Sequence, residues 1–340
     1  MLKPHNRAEV NFTAIREIGH EGRNSTTHVV HDVQLDANIV MKCVPKADIS
    51  DANEYFSESR KLYATAHQNV VPIIYACEDP GHIYIAMPFF ENGSLKGLME
   101  DRFLTVREIV RFGCQLLAGI HNIHSKGLIH FDIKPDNVLL SNRKEAMLSD
   151  FGLAKQMYLG GAEQNYFYQP IIAPEIFEGP DRDIRFDIYQ FGLLLYRMCN
   201  GEDVLREHFA QFQSSNEIAY AIRGGTYPNR STFHEHIPDR LRKVVVRCLE
   251  VDPDDRFQSA LEVANALATV SRCLDWRFEK GREGKVWKRI DGATEKTFSV
   301  ATDGTTEFVS YKGGKSRRNR EHCCDRMTDA RVRRVLKSEG

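Results

Sequence analysis

No run in this 340-residue chain is apolar for long enough to cross a bilayer; the most apolar cluster, Phe191-Gly192-Leu193-Leu194-Leu195, stops far short. Met1-Leu2-Lys3-Pro4-His5 does not open into an apolar core, so no secretory signal and no membrane span are expected. Paired cysteines are missing as well: the eight cysteines are scattered and form no CxxC. Cys323-Cys324 beside His322 lacks a second ligand pair at zinc spacing, which favours free thiols over a metal site. Unpaired thiols suit a reducing compartment, and a cytoplasmic location is expected. Internal repeats and low-complexity tracts are absent. Net charge is nearly absent too, at −1.

What is present is an ordinary globular composition, with 42% hydrophobic residues. The length exceeds one average domain and leaves room for an appendage. The small net charge conceals an asymmetry. Residues 275–340 carry 17 Lys and Arg against 11 Asp and Glu, while the rest of the chain is acidic. A basic appendage of this kind can meet nucleic acid, a phosphorylated partner or an acidic protein face, or simply be a solvated surface.

Alternating and β-branched segments dominate residues 10–45 and 70–90, as in His28-Val29-Val30, Asn38-Ile39-Val40-Met41-Lys42 and His82-Ile83-Tyr84-Ile85-Ala86-Met87. Residues 51–66 between them read as a helix with Phe56, Leu62 and Tyr63 on one side. From Leu95 the pattern turns helical. Residues 106–126 place Ile109, Val110, Phe112, Leu116, Leu117, Ile120 and Ile123 for a largely buried helix. Further helices are expected over 187–199, 216–223, 239–250 and 259–268. After Asp275 three strands are expected, over 284–290, 297–300 and 306–311, separated by the hairpin signals Asp291-Gly292 and Asp303-Gly304. A final helix over 330–337 would be capped by Thr328.

The chemistry concentrates in His130-Phe131-Asp132-Ile133-Lys134-Pro135-Asp136-Asn137 and the following Ser149-Asp150-Phe151-Gly152. An Asp, a Lys two residues on, an Asn five residues on and then Asp-Phe-Gly form the set that orients a hydroxyl, neutralises a phosphate and holds two magnesium ions. With these motifs the chain resembles a eukaryotic-type (Hanks-type) protein kinase of the Ser/Thr branch, over about residues 10–272. The resemblance implies an α+β, two-lobed fold, with a β-rich N-lobe near 10–90 and a helical C-lobe near 91–272. Residues 275–340 would form a separate small β-rich module with a terminal helix.

The resemblance implies ATP and Mg²⁺ as cofactors and proteins as substrates. Asp132 would be the catalytic carboxylate, Lys134 would face the γ-phosphate, and Asn137 and Asp150 would hold the metal. Lys42, ending Ile39-Val40-Met41-Lys42, matches the nucleotide-binding lysine, and its helix partner would be Glu58, with Glu54 one turn earlier as the rival. The phosphate loop would draw on Ile18, Gly19, Gly22 and Ser25. Met87 would be the gatekeeper, the Pro88 carbonyl and the Phe90 N–H would read adenine, and Val40 and Leu139 would sandwich it. Ala173-Pro174-Glu175 resembles the end of the activation segment, with Arg256 as partner of Glu175. Asp187 resembles the carboxylate that braces the catalytic loop.

Three departures stand out. The glycine loop, Ile18-Gly19-His20-Glu21-Gly22-Arg23-Asn24-Ser25, has an inserted residue and Ser25 in place of a third glycine. Phe131 replaces the Arg that pairs with an activation-loop phosphate in the family, and residues 153–172 contain no Ser or Thr, only Tyr158, Tyr166 and Tyr168 as hydroxyls. Tyr168 also stands where Ser/Thr kinases carry a Thr. The expectation is a non-RD Ser/Thr kinase, active without Ser/Thr phosphorylation of that segment. The alternatives are a pseudokinase-like ATP-binding scaffold and a small-molecule phosphotransferase. The loop style and compact size look bacterial. For the appendage, Trp287, Phe298, Phe308 and Tyr311 beside Lys312-Gly313-Gly314-Lys315-Ser316-Arg317-Arg318 leave a nucleic-acid stacking face and a protein-docking or supporting role both open.

Overall fold

A computed structural model describes residues 9–18, 25–48, 66–150, 172–179 and 182–340. The N-terminal strands are β1 (Phe12–Ile18), β2 (Thr26–Asp32), β3 (Ala37–Pro45), β4 (Tyr75–Glu78) and β5 (His82–Pro88). They form one antiparallel sheet in the order β1-β2-β3-β5-β4. Strand alternation puts Val30, Ile39, Met41 and Ala86 on one buried face, with Phe12, Tyr75 and Tyr84 packed against them. Val30 lies directly opposite Ile39, and Met41 opposite Ala86, so the apolar side chains meet across strands. Residues 51–65, nearly all of the stretch expected as a helix over 51–66, lie outside the described residues.

The chain then becomes helical, through α1 (Leu95–Asp101), α2 (Val106–His124), α3 (Ile184–Asn200), α4 (Glu202–Phe209), α5 (Ser215–Arg223), α6 (Asp239–Cys248) and α7 (Ala260–Ala268). A two-stranded hairpin, β6 (Val138–Leu140) with β7 (Ala146–Leu148), lies among them. Helix α2 starts where the sequence dictates: Thr105 accepts from the Glu108 N–H while the Glu108 carboxylate accepts from the Thr105 N–H, a capping box. It stops at His124, ahead of the expected boundary, because Gly127 follows with a left-handed φ of 72°. Helix α3 is buried along nearly its whole length and sits at the centre of the large core. Gly192 allows α6 to come close, since a Cβ there would lie 2.7 Å from that of Cys248. Helix α4 was not anticipated; its Glu-Asp-Val-Leu-Arg-Glu-His-Phe sequence is short and mostly polar, and it buries only Leu205.

The C-terminal region holds five strands rather than the three expected: β8 (Arg277–Gly281), β9 (Gly284–Asp291), β10 (Thr294–Ala301), β11 (Thr306–Lys312) and β12 (Lys315–Arg318), in the order β12-β11-β10-β9-β8. The two extra strands are the sheet edges: β12 is exposed throughout and β8 buries only Phe278 among charged residues, so neither shows the sustained alternation of a half-buried strand. Helix α8 (Asp329–Glu339) closes one face. Thr328 occupies the position before its first turn, but its side chain makes no capping hydrogen bond, contrary to expectation.

Trp276, Phe278, Trp287, Phe298, Phe308, Val332, Val335 and Leu336 make a second core, separate from the large one. The proposed aromatic face therefore does not exist: Trp287, Phe298 and Phe308 are interior, and of the four aromatics only Tyr311, 47% exposed, reaches solvent. Strands β8 to β11 each supply one buried ring, and so small a module has little else to build a core from. This core docks on the helical region. Phe103, between α1 and α2, packs on Phe278 with ring centroids 4.8 Å apart. The Trp287 Nε1–H donates to His236 Nδ1 at 3.1 Å, and Arg107 holds Asp275 through two hydrogen bonds.

Candidate active site

Asp132 is 3% exposed, on the loop between α2 and β6. Its Oδ2 accepts from Asn137 Nδ2 at 2.7 Å and lies 3.0 Å from Lys134 Nζ. The same Asn137 amide also donates to the Asp132 carbonyl at 2.9 Å. Both Nδ2 hydrogens are thus used on Asp132, which turns Asn137 Oδ1 away from it. Among the described residues, Asp132 Oδ1 has no hydrogen-bond partner, which leaves one carboxylate oxygen open.

The loop is held from below by α3. Asp187, fully buried, accepts from the backbone N–H groups of His130 and Phe131, both at 2.8 Å, and pairs with His124 Nε2 at 2.7 Å. Three residues on, and so on the same helix face, Gln190 accepts from the Ile133 N–H at 3.0 Å and donates to the Phe131 carbonyl at 2.8 Å. Phe131 has a φ of +66°, a region an aromatic residue rarely adopts, and Asp187 and Gln190 clamp both of its peptide groups there. Its ring is buried against Phe186, at 5.4 Å between centroids.

His130 ties this loop to the segment carrying Asp150. The Asp132 N–H donates to His130 Nδ1 at 3.2 Å, so the ring proton sits on Nε2 and is donated to the Ser149 carbonyl at 3.0 Å. The Ser149 N–H and Oγ–H return bonds to the Asn137 carbonyl at 2.9 and 3.0 Å. Asp150, with a φ of +57°, then meets Lys42 from β3, with Oδ1 and Nζ 2.7 Å apart. A continuous chain of contacts therefore runs from Lys42 through Asp150, Ser149 and Asn137 to Asp132.

On the sheet side, Lys42 lies opposite Ile85 of β5, and Val40 opposite Met87. Strand β5 ends at Pro88, and the half-buried Phe89 and Phe90 lead into Ser94, which caps α1 by accepting from the Gly97 N–H at 3.2 Å. A β-bridge joins Ser94 to Leu139, bringing β6 beside the connection between sheet and helices. Ile18 is the half-buried end of β1, paired with Thr27, and Ser25 precedes β2. Gly19, Gly22, Glu54, Glu58, Phe151, Gly152 and the three tyrosines at 158, 166 and 168 lie outside the described residues.

Glu175 and Arg256 meet in a two-pronged pair, both hydrogen bonds 2.8 Å long. Arg256 is 0% exposed, and the Arg185, Glu250 and Val251 carbonyls take its remaining donors. Sequence reasoning picked out this pair and Asp187 but passed over three residues. Gln190 was legible as a polar residue three positions after Asp187 in an otherwise apolar helix. His124 had no such signal. Lys96, 2.7 Å from Asp136, pairs two segments 40 residues apart and could not be matched from spacing.

Among the described residues no group of three or more His, Cys, Asp or Glu side chains is placed to hold a metal ion. The oxygen donors Asn137 Oδ1 and the Asp150 carboxylate nonetheless suit magnesium, which takes one or two protein ligands and completes its shell with water and substrate phosphates.

The geometry and the comparisons with known proteins agree. Residues 12–267 match the family model for the protein kinase domain. The chain belongs to the protein kinase family, in its Hanks-type branch. A Clostridium acetobutylicum protein described as a probable serine/threonine-protein kinase is 26% identical over 265 residues, covering 75% of this chain and 39% of that protein. Serine/threonine-protein kinase PknD of Chlamydia trachomatis is 25% identical over 325 residues, covering 82% of this chain and 34% of that kinase. A 3-phosphoinositide-dependent protein kinase B from Dictyostelium discoideum is 28% identical over 209 residues, covering 58% of this chain and 23% of its own. The chain thus spans two fifths or less of the length of these relatives. No helix among the described residues is long and apolar enough to cross a membrane.

Proposed function

We propose that this chain is an ATP-dependent protein kinase that phosphorylates Ser or Thr hydroxyls of proteins. The observation that carries the reading is Asp132: one oxygen bound by Asn137 and Lys134, the other without a partner among the described residues. In this reading Asp132 Oδ1 accepts the hydrogen of the acceptor hydroxyl and orients its oxygen for in-line attack. Lys134 neutralises the γ-phosphate, and Lys42 the α- and β-phosphates, with Glu58 as its helix partner. Asn137 and Asp150 hold magnesium, which when bound supplies charge neutralisation along the phosphates. Adenine is read by the Pro88 carbonyl and the Phe90 N–H behind Met87, between Val40 and Leu139, under a loop formed by Ile18, Gly19, Gly22 and Ser25. Residues 10–272 make up the catalytic domain, and 275–340 a module that supports it. The eight free cysteines favour a reducing, cytoplasmic setting.

The kinase belongs to the non-RD type. A buried Phe131 packed on Phe186 offers no cation to an activation-loop phosphate. Activity is therefore independent of Ser/Thr phosphorylation of residues 153–172. The test is transfer of labelled phosphate to itself and to a generic protein acceptor, by wild type and by Asp132→Ala. Transfer by wild type alone, surviving phosphatase pre-treatment, supports the proposal. Nucleotide binding without transfer in either protein would point to a scaffold instead.

A further inference from the structure

A cavity of about 350 Å³ lies at the seam between the helical region and the C-terminal module. Five cations from three segments line it: Arg240 and Arg242 from α6, Arg272 from the connector, and Arg333 and Lys337 from α8. Only two carboxylates share the lining. Glu235 is taken by Lys285 of β9, and Asp239 lies 3.8 Å from Arg242 with its side chain mostly in solvent. Arg240, Arg272, Arg333 and Lys337 have no carboxylate partner among the described residues.

Two of these cations are also partly desolvated. Arg333 Nε is buried without a hydrogen-bond acceptor, while its terminal nitrogen reaches the Phe233 carbonyl only at 3.5 Å. Arg242 donates to the Ile237 and His234 carbonyls at 2.8 and 3.4 Å. Burial and the neighbouring Arg333 charge push the Arg242 guanidinium below its ordinary pKa. A concave, low-dielectric wall carrying a surplus of one sign focuses a field that concentrates counter-ions. Planar guanidinium forks approaching from different sides match the oxygens of a tetrahedral oxyanion, and the charge surplus calls for more than a single negative charge. The volume sits at the small end of ligand cavities, ample for a diphosphate group.

We propose that this cavity binds a small, multiply charged phosphate anion, which bridges α6 to α8 and fastens the module to the helical region. Sodium pyrophosphate is the probe, titrated calorimetrically and by thermal unfolding into the full chain at low ionic strength. The comparison is the double variant Arg272→Glu/Lys337→Glu, whose two positions are exposed and clear of both cores. Wild type is expected to show saturable binding and a raised Tm, with orthophosphate weaker. The double variant should bind pyrophosphate about 30-fold or more weakly, as loss of two charge-assisted contacts implies, with ATP affinity unchanged. Should the charge reversal impair folding, Arg272→Gln/Lys337→Gln replaces it. No saturable binding by wild type at about 5 mM, a concentration that would detect even millimolar sites, overturns the proposal. So does equal binding by wild type and variant, which would place the anion in the ATP cleft.

Discussion

Lys42 and Asp150, 108 residues apart, lie with ammonium and carboxylate 2.7 Å from one another, joining the sheet to the catalytic segment. Both side chains keep contact with solvent, so this pair contributes little to stability, on the order of 1 kcal/mol or less. Lys42→Met and Asp150→Asn are therefore expected to unfold at nearly the wild-type temperature. Phosphate transfer by either should fall by about three orders of magnitude, the scale of losing a main electrostatic contact to the transferred group. Thermal unfolding and a radiolabel assay, run side by side, check both halves. A variant with near-normal transfer would remove Lys42 and Asp150 from the chemistry.

The opposite balance is expected for Gln190→Leu. The substitution leaves the Phe131 carbonyl and the Ile133 N–H unpaired inside the protein, at a cost of about 1–3 kcal/mol each. Gln190 is a positioning residue, so kcat should fall while the KM for ATP holds. An unchanged kcat would show that Asp187 alone fixes the loop.

Glu175→Ala strands the fully buried Arg256 charge without its carboxylate. Loss of one partner of such a buried pair typically costs about 3–5 kcal/mol. Urea denaturation is the measurement, and a loss under about 1 kcal/mol would mean the carbonyls around Arg256 suffice without the carboxylate.

Docking of the module should depend on pH. Burial lowers the His234 and His236 pKa values to about 4 and about 3, from an ordinary 6.5. The groups facing this pair include Glu235, with its Lys285 partner, Lys280 and Arg242. The unfolded chain binds more protons between the two limits, so the stabilisation is complete above 6.5 and drains away as pH falls toward 4, by about 1.4 kcal/mol per pH unit for each ring. Trp276 and Trp287 are the only tryptophans in the chain, and both lie in the module core. Their fluorescence during urea unfolding at pH 7 and pH 5 reads the effect directly. Equal midpoints would contradict it.

The sheet, most helices and the motif residues were legible because strong periodicity and fixed spacing encode them locally. Asp132, Lys134 and Asn137 sit within one short segment, and their contacts follow from backbone geometry. The pairing of Gln190 with Phe131, or of Lys96 with Asp136, spans tens of residues and becomes visible only once α3 and α1 are packed. Strands β8 and β12 escaped for a different reason: Lys315-Ser316-Arg317-Arg318 has no buried face to imprint alternation, and β8 buries a single residue, Phe278, too few to mark a period. Trp287 and its fellow aromatics were visible as residues, but not as interior ones.

Phe131 closes its ring over Phe186 at the spot where a cation would otherwise wait for a modified loop. On the proposed reading, a catalyst built this way has no lock there for an upstream enzyme to turn, and its timing would come from elsewhere: from when it is synthesised, what it is tethered to, or what settles on its surface.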